Sequence, residues 1–587
     1  MSMVPSGLPL VFARDGSFGP GSEVNITNCG FEGFTNGTIV IESFESDGTT
    51  DSLFLAAASV FANNTGTESA GAIDIGDAVR ARVMIGDTEF RNNTGGGSAG
   101  GAVSILGDAG NEGPSVTIMA SNFFNNTAAT GGAVAVSTVN GTVQVIASRF
   151  ESNTASSSDA GALFVTGGVP FGPRVVNLTS GDPNTRSTPT CRFVDNKNNN
   201  FGGGAVSLIR VTESVTVDGC IFERNAARED GGALKIDASQ DAGASNINVT
   251  IESSQFLNNE AFTGNGAGVF LGDGSFGVLT VNSSTFQGNN ATINSGGGIF
   301  VFLAQEVQLE DNLFDGNSAS LGAGIRADTV SNVTIVSSQF LNNEASDSGG
   351  GVDLSTVNVL TVKSSTFQGN SAATIGGGIR VPNAQEVQLE DNLFDGNRAS
   401  QGGGIFAGTA DFDFISRGDV YTDNDATSGN GGAVSLDRAD IAFFENSRFL
   451  RNTAASNGGG VNFANARNAL VLSNATFIDN ESGRLGGGFN VVYDGLFSVR
   501  PSLSSVGGTF RNNTAGVGNS TGSGGAGRAQ NVEFVTISGT NFMRNRYVCT
   551  RFSNGHYSLV ACSQILLAIH TRAHTYTEDV HMCTWCS

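Results

Sequence analysis

Apolar and polar residues alternate along this chain in short bursts that return at a regular interval. Each burst leads up to the Phe of a Phe-x-x-Asn motif. Seven and five positions before that Phe stand apolar residues with a polar one between them: Val116 and Ile118 around Thr117, Val215 and Val217 around Thr216, Leu360 and Val362 around Thr361. A second burst follows the motif. After a small residue (Ala128, Ala372) and a glycine cluster comes an aliphatic residue, with another apolar residue two positions on, as in Val134 and Val136 or Ile379 and Val381. Alternation at period two is the mark of a strand with one buried face. No helical period competes with it.

The motif recurs from Phe61 to Phe542, with Tyr421 filling the gap between Phe394 and Phe449. Between Phe286 and Phe394 its spacing settles at 26 to 28 residues, and longer spacings such as Phe150 to Phe193 mark loop insertions. A fixed period in this range predicts a solenoid. Strands that run parallel to their counterparts one period on give an all-β fold, a right-handed parallel β-helix. Coils stack at the inter-strand distance, so about 17 of them make a rod on the order of 80 Å long.

Each repeated residue then has a job. The Phe rings stack inside the coil. The Asn side chains sit at a bend and hydrogen-bond to their equivalents above and below as an amide ladder. The glycines supply positive φ and close backbone approach. Two positions before the Phe the usual residue is Ser, as at Ser121, Ser284 and Ser365, but it is Cys at Cys29, Cys191 and Cys220. Cys191 and Cys220 are 29 residues apart and fall in neighbouring coils, a separation that suits a disulfide. The plainer expectation is a small, buried, inert column residue. A larger repeat overlies the small one: Ala304 and Ala384 both open the run AQEVQLEDNLFDGN, and Ser253 and Ser337 both open SSQFLNNEA. Blocks of three coils were copied, so coil number is free to change.

Composition sharpens the picture in few places. Phe numbers 41 against 5 Tyr and 1 Trp, as fully buried rings require. The formal charge of −24 argues against nucleic acid and anionic membranes. No apolar run of about 20 residues predicts a transmembrane helix. The first residues lack the basic start and apolar run of a secretory signal, yet Asn-x-Ser/Thr acceptors abound, among them Asn63, Asn92 and Asn125. A missing true N-terminus would reconcile the two. The expected organisation is an N-terminal segment over 1–20, the β-helix over 21–545 and an atypical tail over 546–587.

Two clusters raise the question of chemistry. The first lies in the outward column just after the glycine-aliphatic step. There Arg326, Asp353 and Arg380 follow one another at intervals of 27, with Asp328 beside Arg326 and the aromatics Phe300 and Phe406 farther along. Lys235 with Asp237 is a similar pair. A carbohydrate-binding or catalytic groove would use such a face; a solvated ladder of ion pairs is the expected reading. The second is the tail, where His570, His574, Cys583 and Cys586 have spacings a zinc site could use. A disordered tail or an artefact of the gene model is the plainer expectation. The acidic turns LEDNLFDGN lack the spacing of a calcium-binding β-roll, and no cofactor is expected.

The pair Phe-x-x-Asn and Gly-Gly-Ala-[Ile/Val/Leu], repeated from about Phe61 to Gly525, resembles the repeats of the chlamydial polymorphic outer membrane proteins. That resemblance implies a β-helical passenger, exposed at the cell surface or secreted, with adhesive function toward surface glycans or proteins. The alternative is a polysaccharide lyase or uronate epimerase acting through the Arg326, Asp353 and Arg380 face. The loops Thr166 to Pro189 and Phe489 to Gly508 are the expected contact regions.

Overall fold

The computed structural model describes residues 10–13, 21–42, 51–97, 99–107, 113–167, 173–181, 191–238, 246–493, 500–517, 524–547 and 579–582. Its regular elements are all β-strands. The chain forms two compact units, residues 1–313 with 317–319, and residues 314–316 with 320–587. Each is a parallel β-helix, with about 16 turns in all. The right hand of the coil is the one that parallel crossovers adopt.

One turn of the second unit shows how the sequence dictates the coil. The strand Val352–Lys363 presents alternate residues inward. Ser364 then takes φ 48°, a left-handed conformation that bends the chain into the strand Thr366–Gln368. Gly369 makes a second corner at φ 64° and leads to the short strand Ser371–Ala372. Gly376 makes a third at φ 67° before Ile379–Val381. Three left-handed corners per turn explain why Gly, Asn, Asp and Ser recur at fixed places.

Register between turns is strict. Thr366, Phe367 and Gln368 pair in parallel with Leu393, Phe394 and Asp395. In the first unit Arg192, Phe193 and Val194 pair with Ile221, Phe222 and Glu223. This pairing stacks like on like. From Phe31 to Phe286 ring centroids in the first unit lie 4.6 to 5.1 Å apart and nearly coplanar. From Phe314 through Tyr421 to Phe542 the second unit repeats this at 4.5 to 5.1 Å.

The amide ladder also forms in both units. In the first, Asn126 Nδ2 donates to Asn153 Oδ1 at 3.0 Å and to the Phe90 carbonyl at 3.1 Å. In the second, Asn397 Nδ2 donates to Asn424 Oδ1 at 2.9 Å and to the Phe367 carbonyl at 2.8 Å. Each Oδ1 also accepts the backbone N–H of the preceding ladder Asn, so a fully buried amide is satisfied on every side.

The Ser column carries one correction. Cys191 and Cys220 are disulfide-bonded, with Cα atoms 4.7 Å apart, and are not the inert residues expected. The cause is register: residues next to them pair directly, and an inward column position aims both sulfurs at each other across one strand spacing. Cys29, in the same column, instead meets Ser59, whose Oγ accepts its backbone N–H at 3.2 Å.

Candidate functional site

The outward column after the glycines is not a solvent face. Asp353 is 0% exposed and Arg326 8%, while Phe300 and Phe406, expected to flank an open groove, are 6% and 8% exposed. The glycine turn itself is the lid. A Cβ on Gly349 would come within 2.5 Å of the Asp353 Cβ, and one on Gly376 within 2.9 Å of the Arg380 Cβ. Each left-handed glycine thus lays bare backbone over the side chain four residues on. Period two assigned the side of the sheet correctly but could not say that this side is roofed.

Under that roof the predicted residues do meet. Asp353 Oδ1 lies 2.8 Å from Arg326 Nη1 and accepts a hydrogen bond from Arg380 Nη1 at 2.9 Å. Strand register sets this up, because Arg326 pairs with Asp353 and Asp353 with Arg380. Arg326 Nε donates to Asp328 Oδ1 at 2.7 Å, and Asp328 is the partly exposed end of the cluster. Asp353 Oδ2 and Arg380 Nε are buried without a hydrogen-bond partner. Burial pushes the Asp353 carboxyl up, and the Arg326 and Arg380 guanidiniums oppose it only in part. This is a buried ion cluster, unlike the solvated ladder expected from sequence.

Lys235 and Asp237 also sit in this column, and a third residue joins them. Lys235 Nζ is 3.3 Å from Asp237 Oδ2 and 3.4 Å from Asp159 Oδ1. Sequence spacing paired Lys235 with Asp237 alone. The signal for Asp159 was its place just before Ala160, which takes φ 68° where most turns use glycine, so it belongs to a roofing turn.

A second overlooked cluster surrounds Tyr421. Asp419 holds the Ser-column position, and its Oδ1 accepts Asn392 Nδ2 at 2.9 Å while Ser416 Oγ donates to its Oδ2 at 2.6 Å. Burial pushes this carboxyl up to about 6. The cue was Tyr in a Phe column with Ser five positions before it, where most turns carry an aliphatic residue.

The abundant glycosylation-type acceptors have a structural origin. Asn63, Asn92 and Asn125 are exposed left-handed corner residues, each followed by a buried ladder Asn and an outward Thr. The repeat itself spells Asn-x-Thr there. Their side chains form an outer ladder, Asn125 Nδ2 donating to Asn92 Oδ1 at 2.8 Å and Asn92 Nδ2 to Asn63 Oδ1 at 3.1 Å.

The zinc candidates His570, His574, Cys583 and Cys586 lie outside the described residues, as do 168–172, 182–189 and 494–499 of the two expected contact loops. Among the described residues no group of three or more His, Cys, Asp or Glu is placed to hold a metal. No helix among them is long and apolar enough to cross a membrane.

A family model for the right handed beta helix region matches residues 289–394. No curated protein and no solved structure matches the chain.

Proposed function

We propose that this chain is an exported scaffold, held at the cell surface or secreted, whose β-helices present loops to glycans or proteins. The observation that carries this reading is the fate of the charged outward column: beneath glycine turns Arg326 and Arg380 converge on Asp353, and Asp328 balances the second guanidinium. Such a column rigidifies turns and leaves recognition to the loops. The Cys191–Cys220 disulfide supports export, because such bonds persist in oxidising compartments and are rare in the cytosol. The repeat's similarity to the passengers of the polymorphic outer membrane proteins accords with an adhesive role.

Two measurements test the reading. Antibody labelling of intact, unpermeabilised producing cells and of their medium is expected to find the chain; detection only after permeabilisation would overturn export. The purified chain, incubated with pectin or alginate and Ca²⁺, is expected to release no unsaturated uronate by ultraviolet absorbance and to epimerise none by NMR. Turnover that disappears in Asp353→Ala would replace the scaffold by an enzyme.

A further inference from the structure

Lys235 is one of three lysines in the chain, and its amine is enclosed. It stands on the strand Leu234–Ala238, in register with Ser207 one turn before and Phe270 one turn after. Glycines line its path. A Cβ on Gly231 would come within 2.8 Å of the Lys235 Cβ, and one on Gly202 within 2.8 Å of its Cδ. Its side chain is 16% exposed, against 18% for Asp159 and 11% for Asp237.

The contacts at the end of that path are poor for a structural ion pair. Both Nζ–carboxylate distances, 3.4 Å to Asp159 and 3.3 Å to Asp237, exceed the roughly 2.7–2.9 Å of a good charge-assisted bond. Asp237 Oδ1 and Ser207 Oγ are buried with no hydrogen-bond partner. A Cβ on Gly272 would strike that Oδ1 at 2.6 Å, so only glycine leaves the second carboxylate its place. An amine held against two carboxyl groups, with little water to compete, is the reactant set of an amide.

We propose that Lys235 and Asp159 condense into an intramolecular isopeptide bond, with Asp237 carrying the protons. Nζ forms a bond to Asp159 Cγ and one Cγ–O bond breaks. Two of the three ammonium protons pass through Asp237 to the departing oxygen, which leaves as water. One proton remains on the amide nitrogen, so an ammonium and a carboxylate become an amide and a water. Nothing is oxidised or reduced, and no co-reactant is consumed. Held reactants overcome the bulk-water equilibrium through effective concentration.

The electrostatics fit these roles. Burial pushes Asp237 up to about 6, where a carboxyl both takes and returns a proton near neutrality. Burial pulls the Lys235 amine down, but Asp237, Asp159 and Asp230 more than restore it, so a free amine arises only as its proton passes to Asp237. The bond would join residues 76 apart. It would tie the turn after Phe150 to the turn after Phe222 across the one between, as a covalent staple between turns.

Peptide mapping of the reduced full-length chain decides the matter. Trypsin is expected to fail after Lys235, and the Lys235 and Asp159 peptides to appear as one species lighter than their sum by one water. Lys235→Arg and Asp159→Ala should each restore separate peptides of full mass, and Asp237→Asn should leave most of the chain unlinked. Cleavage after Lys235 in the unsubstituted chain, with Asp159 in a free peptide, overturns the proposal. A lost water mapped to Lys235 and Asp237 alone overturns the assignment of Asp159.

Discussion

The Tyr421 hydroxyl lies 3.2 Å from Ser416 Oγ, deep in the second unit. Tyr421 stacks between Phe394 and Phe449 like any ring of its column. Ser416 stands in register between Leu389 and Phe444, a position that is apolar in most turns, with Ser505 a second exception. The two residues depart from the repeat together because a buried hydroxyl needs a partner. Ser416→Val should therefore cost about 1–3 kcal/mol by stranding the Tyr421 hydroxyl and the Asp419 carboxylate. Tyr421→Phe should be close to neutral, since Ser416 keeps Asp419 and Ser447. In a double-mutant cycle by chemical denaturation the pair should show coupling of about 0.5–3 kcal/mol, and strict additivity would refute the pairing.

Asp419 makes stability depend on pH. Burial, opposed by hydrogen bonds from Ser416 and Asn392, raises its folded pKa from 3.8 to about 6. A raised acid binds its proton more tightly when folded, so stability is full below the unfolded value and falls as pH rises from about 4 to 6. Above that window the ionised carboxylate remains a standing penalty. Asp419→Asn should therefore stabilise the second unit at pH 7, by on the order of 2–3 kcal/mol. The gain should vanish near pH 4 in parallel denaturation curves.

The Asp353 cluster should behave as packing. Asp353→Ala leaves Arg326 and Arg380 buried without their shared acceptor and should cost about 3–5 kcal/mol. Replacing all three together by apolar residues of similar volume should recover most of that loss. A triple variant that stays as unstable as Asp353→Ala would mean that the charges themselves are required. Thermal melting of the three proteins separates the outcomes.

The coil, its period and its two internal columns were legible because parallel stacking makes every turn report the same environment. Phe367 and Asn397 carry the same message as Phe394 and Asn424. What the repeat could not convey is what covers the outside. Arg326, Asp353 and Arg380 were placed in the right column, yet their burial depends on the path of the turn at Gly349 and Gly376, and glycine has no side chain by which alternation could betray it. Asp159 was missed for a related reason. Its partner Lys235 is two turns away, a relation fixed by the roofing turn and not by strand register. The disulfide is hard to read from the repeat, because the commonest residue of the Cys191 column is serine, whose neighbours do not bond covalently.

A break in the amide ladder should stay local. Asn397 accepts from Asn370 N at 3.1 Å and from Asn370 Nδ2 at 2.9 Å, and it caps the Phe367 carbonyl. Asn397→Ala leaves these buried groups unsatisfied, at about 1–3 kcal/mol for each. Turns of a solenoid contact only their neighbours, so the damage should be local. Amide hydrogen exchange should accelerate at Asn370 and the turns beside it, while amides several turns away keep their protection. Uniform acceleration along the chain would contradict a local ladder.

Serine is the usual residue where Cys191 and Cys220 stand, so the double substitution Cys191→Ser and Cys220→Ser replaces them with side chains the coil already accommodates. The folded turns should survive, and the loss should reside in the freed unfolded chain. For a closed loop of this length, 29 residues, that loss is about 3–4 kcal/mol. The unsubstituted chain should melt at lower temperature in the presence of reductant, and the double serine variant should melt at that same lower temperature with or without it. If reductant leaves the melting of the unsubstituted chain unchanged, the bond contributes nothing to stability. A mass spectrum under non-reducing conditions, two hydrogens lighter than the reduced form, shows in the same experiment that the bond had formed.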